Sequence, residues 1–138
     1  MLHKGLAIRM NALGEDHVDT AESYNSIGST MYAMNDLEGA LAMTERALTV
    51  EMKALGEGHP VTALSYNNIG RILYTMGDLD AALNIYIRSN KVCEKAYGHD
   101  HHYTKLTRDA VTNLEKHIKR KLSSIILLKN ACTPSDLY

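Results

Sequence analysis

The densest run of metal-capable side chains is His99-Asp100-His101-His102, whose imidazoles and carboxylate are adjacent in sequence and suit a divalent cation. His101, however, is periodic: His59 stands 42 residues before it and His17 another 42 before that. A residue that recurs on a fixed period has a structural reason to be there, so the run reads as a solvated loop with no resident metal. The two cysteines, Cys93 and Cys132, have no metal-ligand spacing. Cys93 falls on the apolar side of a helical pattern and reads as a small core residue, while Cys132 reads as a free thiol in a tail. Without a disulfide framework the chain fits a reducing, cytoplasmic compartment.

Catalytic patterns are missing. No glycine-rich phosphate loop follows a strand, and no nucleophile elbow is present. The acidic residues read as lying on helix ends and outer faces, where capping and solubility account for them. The expectation is therefore a protein that is not an enzyme and uses no cofactor.

The net charge of −1 predicts no general attraction to nucleic acid or to an anionic membrane. One local exception is Lys116-His117-Ile118-Lys119-Arg120-Lys121, ahead of Ser123-Ser124-Ile125-Ile126-Leu127-Leu128. A membrane-surface or nuclear-localisation element is one reading. The preferred one is the basic solvent face of a helix end, which complements the helix dipole. The apolar run from Ile125 to Leu128 is too short to span a bilayer and still needs a partner. The N-terminus has no apolar run of signal-peptide length.

The elements that must position these groups repeat every 42 residues. Leu13-Gly14-Glu15-Asp16-His17 returns as Leu55-Gly56-Glu57-Gly58-His59, and in weaker form as Tyr97-Gly98-His99-Asp100-His101. Between the first two copies the register is gap-free: Thr20/Thr62, Tyr24/Tyr66, Asn25/Asn67, Ile27/Ile69, Gly28/Gly70, Asp36/Asp78, Ala40/Ala82 and Leu41/Leu83. Such a period signals stacked repeats, each one supersecondary unit that cannot bury its apolar face alone.

Each period reads as helix, tight turn, helix, loop. In the first copy the helices cover about Val18–Met34 and Leu37–Leu55. Tyr24, Ile27, Gly28, Met31 and Met34 recur at spacings of three and four on the first helix. Leu37, Ala40, Leu41, Thr44, Ala47, Leu48, Met52 and Leu55 form the apolar stripe of the second. No useful apolar–polar alternation occurs, so no sheet is expected. Asn35 and Gly77 suit a left-handed helix end, Asp36 and Asp78 can cap the helices that follow, and Pro60 after His59 suits a helix start. At the third turn position stands Lys119, followed by Arg120. Neither suits a left-handed turn, so the helix starting near Tyr103 is expected to run past Lys121 to about Asn130.

Tyr24-x-x-Ile27-Gly28 with Ala40 resembles the tetratricopeptide repeat, as does Tyr66-x-x-Ile69-Gly70 with Ala82 and Tyr86. The longer period, Leu55-Gly56-x-x-His59-Pro60-x-Thr62-Ala63 and Ser65-Tyr66-Asn67-Asn68-Ile69 resemble its kinesin-light-chain subtype. The likeness covers roughly residues 6–118. HEAT and armadillo repeats lack this Gly–Ala spacing.

The resemblance implies an all-α, right-handed solenoid of antiparallel helix pairs, two full pairs plus flanking helices. The expected organisation places the end of a preceding repeat's second helix in residues 1–14 and repeats in 15–56 and 57–98. A degenerate repeat with a long capping helix follows in 99–130, and a disordered tail in 131–138. It also implies a concave peptide groove lined by the first helices. Carried over by position, the groove residues are Glu22, Asn25, Ser29 and Tyr32 in repeat one, then Leu64, Asn67, Arg71 and Tyr74 in repeat two. In the third copy they are Leu106, Asp109, Asn113 and Lys116.

The chemistry of that set is apt. An Asn amide can donate to a peptide carbonyl and accept from the next amide, although a recurring Asn can also bond the neighbouring repeat and register the stack. Tyr32 and Tyr74 offer rigid apolar area with a polar tip, and Arg71 a bidentate fork for a carboxylate. Glu22 and Asp109 oppose Arg71 and Lys116, so the groove reads as mixed in charge. The expected function is a non-catalytic scaffold that binds an extended peptide or helix of a partner protein. The alternative is self-association, a homodimer or helix-swapped assembly through exposed terminal helices.

Overall fold

The computed structural model describes residues 17–131, which form five helices and, among the described residues, no strand. They are α1 (Val18–Ala33), α2 (Leu37–Leu55), α3 (Pro60–Met76), α4 (Leu79–Tyr97) and α5 (His102–Ala131). The helix expected in 1–14, Cys132 and the tail beyond Ala131 lie outside the described residues. Each helix packs chiefly on the next in sequence, α1 on α2, α2 on α3, α3 on α4 and α4 on α5. This nearest-neighbour pattern defines a solenoid.

The tight turns are built alike. Asn35 takes φ 63° and Gly77 φ 88°, so each ends its helix in the left-handed region. The next amide reaches back into the last turn, Asp36 N–H to Met31 O at 2.8 Å and Asp78 N–H to Leu73 O at 3.0 Å. The Asp36 and Asp78 carboxylates then accept from Gly39 N–H at 3.0 Å and Ala81 N–H at 3.3 Å. The three periodic histidines cap the first helices. Nδ1 of His17, His59 and His101 accepts from the N–H two residues on, at 3.1, 3.1 and 3.2 Å.

The two glycines mark where paired helices touch. A Cβ on Gly28 would stand 2.8 Å from Thr44 Oγ1 and 3.2 Å from the Ala40 carbonyl oxygen. On Gly70 it would stand 2.7 Å from the Tyr86 ring. The third copy has Thr112 there, and it is exposed because no helix returns over α5 among the described residues. In place of a turn at Lys119, α5 runs on unbroken to Ala131.

Three placements differ from the sequence reading. Met34, expected among the apolar positions of α1, is 75% exposed because the helix ends at Ala33 and Met34 caps it in the turn. Met52, expected on the apolar stripe of α2, is exposed. Its neighbour Glu51, expected outward like the other acidic residues, is 1% exposed. The reason is non-local: α1 and α3 both send donors to this point. Asn25 Nδ2 donates to Glu51 Oε1 at 3.1 Å, and Ser65 Oγ donates to Glu51 Oε2 at 2.5 Å. A buried carboxylate is tolerable only when so bonded. Burial pushes the Glu51 carboxyl above its ordinary range, and the hydrogen bonds from Ser65 and Asn25 partly offset this.

One period on, Cys93 stands where Glu51 does, Thr107 where Ser65 does and Asn67 where Asn25 does. Cys93 is buried, and burial pushes its thiol up, against hydrogen bonds with Thr107 and Ser89. It is thus a core residue and no activated nucleophile.

Candidate peptide-binding face

The expected groove residues fall in four rows across α1, α3 and α5, each row one residue per helix at the common period. These are Glu22/Leu64/Leu106, Asn25/Asn67/Asp109, Ser29/Arg71/Asn113 and Tyr32/Tyr74/Lys116. Glu22, Ser29, Leu64, Arg71, Tyr74, Leu106, Asp109, Asn113 and Lys116 are exposed, while Asn25, Tyr32 and Asn67 are half-buried.

The rows are not equivalent. Leu64 and Leu106, 47% and 50% exposed, give the first row an apolar surface. In the second row the Asn25 amide is spent within the stack, since Nδ2 donates to Glu51 Oε1 and at 3.2 Å to Ser65 Oγ. Asn25 therefore registers one repeat on the next. Asn67 has no such carboxylate, because Cys93 replaces it, and its amide makes no hydrogen bond among the described residues.

The last two rows converge. The Arg71 guanidinium lies 5.0 Å from the centroid of the Tyr32 ring, a cation–π contact across the repeat boundary. Tyr32 Oη and Thr75 Oγ1 are 2.9 Å apart, and Thr75 Oγ1 donates to the Arg71 carbonyl at 3.0 Å. With the threonine proton so used, the Tyr32 hydroxyl is the donor to Thr75. Arg71 is thus held from both its side chain and its backbone. Tyr86 on α4 faces the same patch, where burial pushes its hydroxyl up and the Arg71 charge pulls it back.

Beside this patch lies a cavity of about 350 Å³, lined by Tyr74, Tyr86, Asn113, Lys116, His117 and Arg120 with Ala110 and Leu114 at its floor. Tyr74 meets His117 edge-on at 5.8 Å between ring centroids. Tyr86, His117 and Arg120 were absent from the expected set. The signal for the last two was present, because Asn113, Lys116, His117 and Arg120 follow the three- and four-residue spacing of one helix face. They add two basic side chains to the expected set. The cationic groups gather in the last two rows and the cavity, whereas Glu22 and Asp109 sit in the first two rows. A cavity lined by Lys116 and Arg120, with the Arg71 charge felt at Tyr86 in its wall, suits a carboxylate flanked by aromatic contact.

The histidine run does something else. Besides its capping bond, His101 stacks on Tyr97 at 4.2 Å. His99 Nδ1 lies 3.0 Å from Arg108 Nη2 and 3.4 Å from Glu94 Oε1. Among the described residues no group of three His, Cys, Asp or Glu side chains is placed to hold a metal.

Two stretches of the chain, residues 20–61 and 62–103, match the family model described as tetratricopeptide repeat. Among solved structures, the chain is similar to a putative kinesin light chain of nearly identical TPR-like repeats from Podosopora anserina. That likeness has a TM-score of 0.77 and 16% identity, over 94% of this chain and 61% of that one. A singly substituted form of that protein gives 0.75 and 16%, over 99% and 69%. BtubC (BKLC) from P. vanneervenii gives 0.68 and 18%, over 96% and 57%. At these identities the likeness shows the fold alone. The chain spans 61% of the length of the first of these structures. No curated protein matches it.

Proposed function

The chain belongs to the tetratricopeptide repeat family, whose repeats generally mediate protein–protein interaction, and from that premise we propose a non-catalytic module that grips an extended peptide of a partner protein. The peptide lies along the face of α1, α3 and α5. An acidic side chain enters the cavity between Tyr74, Tyr86 and Arg120. An aliphatic residue further along rests on Leu64 and Leu106, and Asn67 supplies donor and acceptor to the peptide backbone between them.

The observation that carries this reading is the fixing of Arg71 over Tyr32 while its guanidinium is exposed. A charged group already immobilised loses little further entropy when it meets a carboxylate. No capture of charge by an internal acid competes, since no ion pair of Arg71 is present among the described residues.

The test is selection of peptides from a random display library on the intact chain, alongside an Asn67→Ala, Arg71→Ala variant shown by circular dichroism to stay helical. Asn25 is left alone because it holds the stack. Selected peptides should share an acidic residue several positions from an aliphatic one, and the variant should lose them. Selection of the same peptides by both proteins would move the function to another surface.

A further inference from the structure

The second half of α5 separates the charge of this chain. Between Lys116 and Ala131 stand Lys116, Lys119, Arg120, Lys121 and Lys129, and no acidic residue. With a net charge of −1 overall, the remainder of the chain is clearly acidic. Whole-chain charge therefore conceals a strongly cationic segment.

That segment is also the least covered part of the described structure. Every residue from Lys119 to Ala131 is exposed. Leu122 and Ile125 line a cleft of about 260 Å³ against Leu79, with Asp78, Asp80 and Lys121 at its edges. Beyond the cleft, Ile126, Leu127 and Leu128 are exposed, the last two to 68% and 70%.

The direction of these side chains decides what can cover them. Consecutive helical residues point about 100° apart. Ile125, Ile126, Leu127 and Leu128 therefore make one helical turn apolar on all sides, bracketed by Lys119-Arg120-Lys121 before it and Lys129 after it. A partner helix or a flat protein face buries one stripe and leaves the other sides wet. An antiparallel pairing of two copies would bring the Lys119-Arg120-Lys121 clusters close to Lys129 of like sign. A lipid surface, in contrast, accepts the wide arc of Ile126, Leu127 and Leu128 that lies beyond the cleft, and lysines bracketing it extend their stems to reach phosphate. No described helix is long and apolar enough to cross a membrane, so the segment would lie in the interface.

We propose that residues 119–129 of α5 form a docking element for an anionic lipid surface. Ile126, Leu127 and Leu128 enter the headgroup–acyl boundary, and Lys119, Lys121 and Lys129 meet the headgroups, while Arg120 stays with the peptide cavity. The repeats then stand away from the bilayer with the peptide face on α1, α3 and the first half of α5 free.

The chain has no tryptophan, so Leu127→Trp is a clean reporter. It is to be mixed with vesicles of phosphatidylcholine alone and of phosphatidylcholine with phosphatidylserine. A blue-shifted emission is expected only with the anionic vesicles, with affinity about tenfold or more above the neutral ones and falling as salt rises. Leu127→Asp with Leu128→Asp alters only exposed positions and, once circular dichroism shows it still helical, should abolish co-sedimentation of the otherwise unaltered chain with vesicles. Unchanged tryptophan emission, or undiminished co-sedimentation of the double variant, would overturn the proposal. So would sedimentation showing a lipid-independent dimer that the double variant converts to monomer without any vesicle binding, which would assign the segment to contact between copies.

Discussion

Ser65 donates a 2.5 Å hydrogen bond to Glu51 across the boundary between two repeats, and both side chains are buried. The joint between α2 and α3 thus carries an ionisable group whose partners among the described residues are two neutral donors. Asn25 completes it, and the Asn25 Oδ1 is left without a partner among the described residues.

The first prediction concerns this joint. Desolvation is the larger cause of the Glu51 shift and raises its pKa above the ordinary 4.5. A carboxyl raised on folding binds its proton more tightly in the native state. Its contribution is fully present below pH 4.5 and is lost as pH climbs through the raised folded value. Glu51→Gln supplies an amide in place of the charge, able to donate to the orphaned Asn25 oxygen once that side chain flips. The variant should be more stable near neutral pH by on the order of 1 kcal/mol. The difference should vanish in acid. Because the two proteins differ at this position alone, the wild-type minus variant melting temperature isolates this group. Parallel profiles across pH would refute the assignment.

Gly28 and Gly70 both sit under a returning helix, but against different atoms. At Gly28 an added methyl meets a backbone oxygen as well as Thr44, whereas at Gly70 its nearest neighbours are all atoms of the Tyr86 ring. Gly28→Ala should therefore cost more than Gly70→Ala. Overpacking is worth about 1–3 kcal/mol, reduced by the roughly 1 kcal/mol that Ala gains over Gly in a helix. Urea midpoints of the two variants give the ranking, and an inverted order would show that the ring is the less yielding neighbour.

Asn35 and Gly77 occupy one turn geometry with different residues. Asn35→Gly should change stability by only a few tenths of a kcal/mol, since glycine adopts the observed φ without strain. Gly77→Ala, at φ 88°, should lose about 1 kcal/mol despite open space around the position. Thermal melts of both settle it. Equal losses would mean that space, not φ, governs the turn.

Arg71 is held by the planar face of Tyr32, and that contact needs a guanidinium. Arg71→Lys keeps the charge but loses the fork and the stacking. Peptide affinity should drop about tenfold, with stability changed by less than about 0.5 kcal/mol. Tyr32→Phe retains the ring and loses only the bond to Thr75, so its affinity should lie between those of the wild type and Arg71→Lys. Fluorescence anisotropy with one selected acidic peptide measures both. Full affinity in Arg71→Lys would remove the bidentate reading.

What could be read from sequence was either local or repeated. Asn35 with Gly77, Asp36 with Asp78, and His59 each act within a few residues of their own position, and the period supplies a second example of each. The Gly28 and Gly70 contacts were legible for the same reason. Glu51 was not, because its periodic copy is Cys93 and its partners lie on two other helices, 26 residues back and 14 forward. No pattern along one helix distinguishes it from the exposed Glu45. His117 and Arg120 were legible by spacing from Asn113, yet a basic run near a helix end already had an explanation in the dipole. The all-round apolar turn at Ile125 was visible as a run, but only the unbroken course of α5 shows how its side chains are splayed.

The succession of contacts, each helix chiefly on its neighbour in the chain, also sets the tempo of folding. Contacting residues are seldom more than two helices apart in sequence, so little loop entropy is spent before a contact forms. Such chains fold in microseconds to milliseconds, and any helix pair can serve as the nucleus. The same economy divides the native state into units that open separately. Amide hydrogens of α1 and α2 and those of α3 and α4 should exchange as two groups, with the α2–α3 joint, where Glu51 is buried, as the line along which they part.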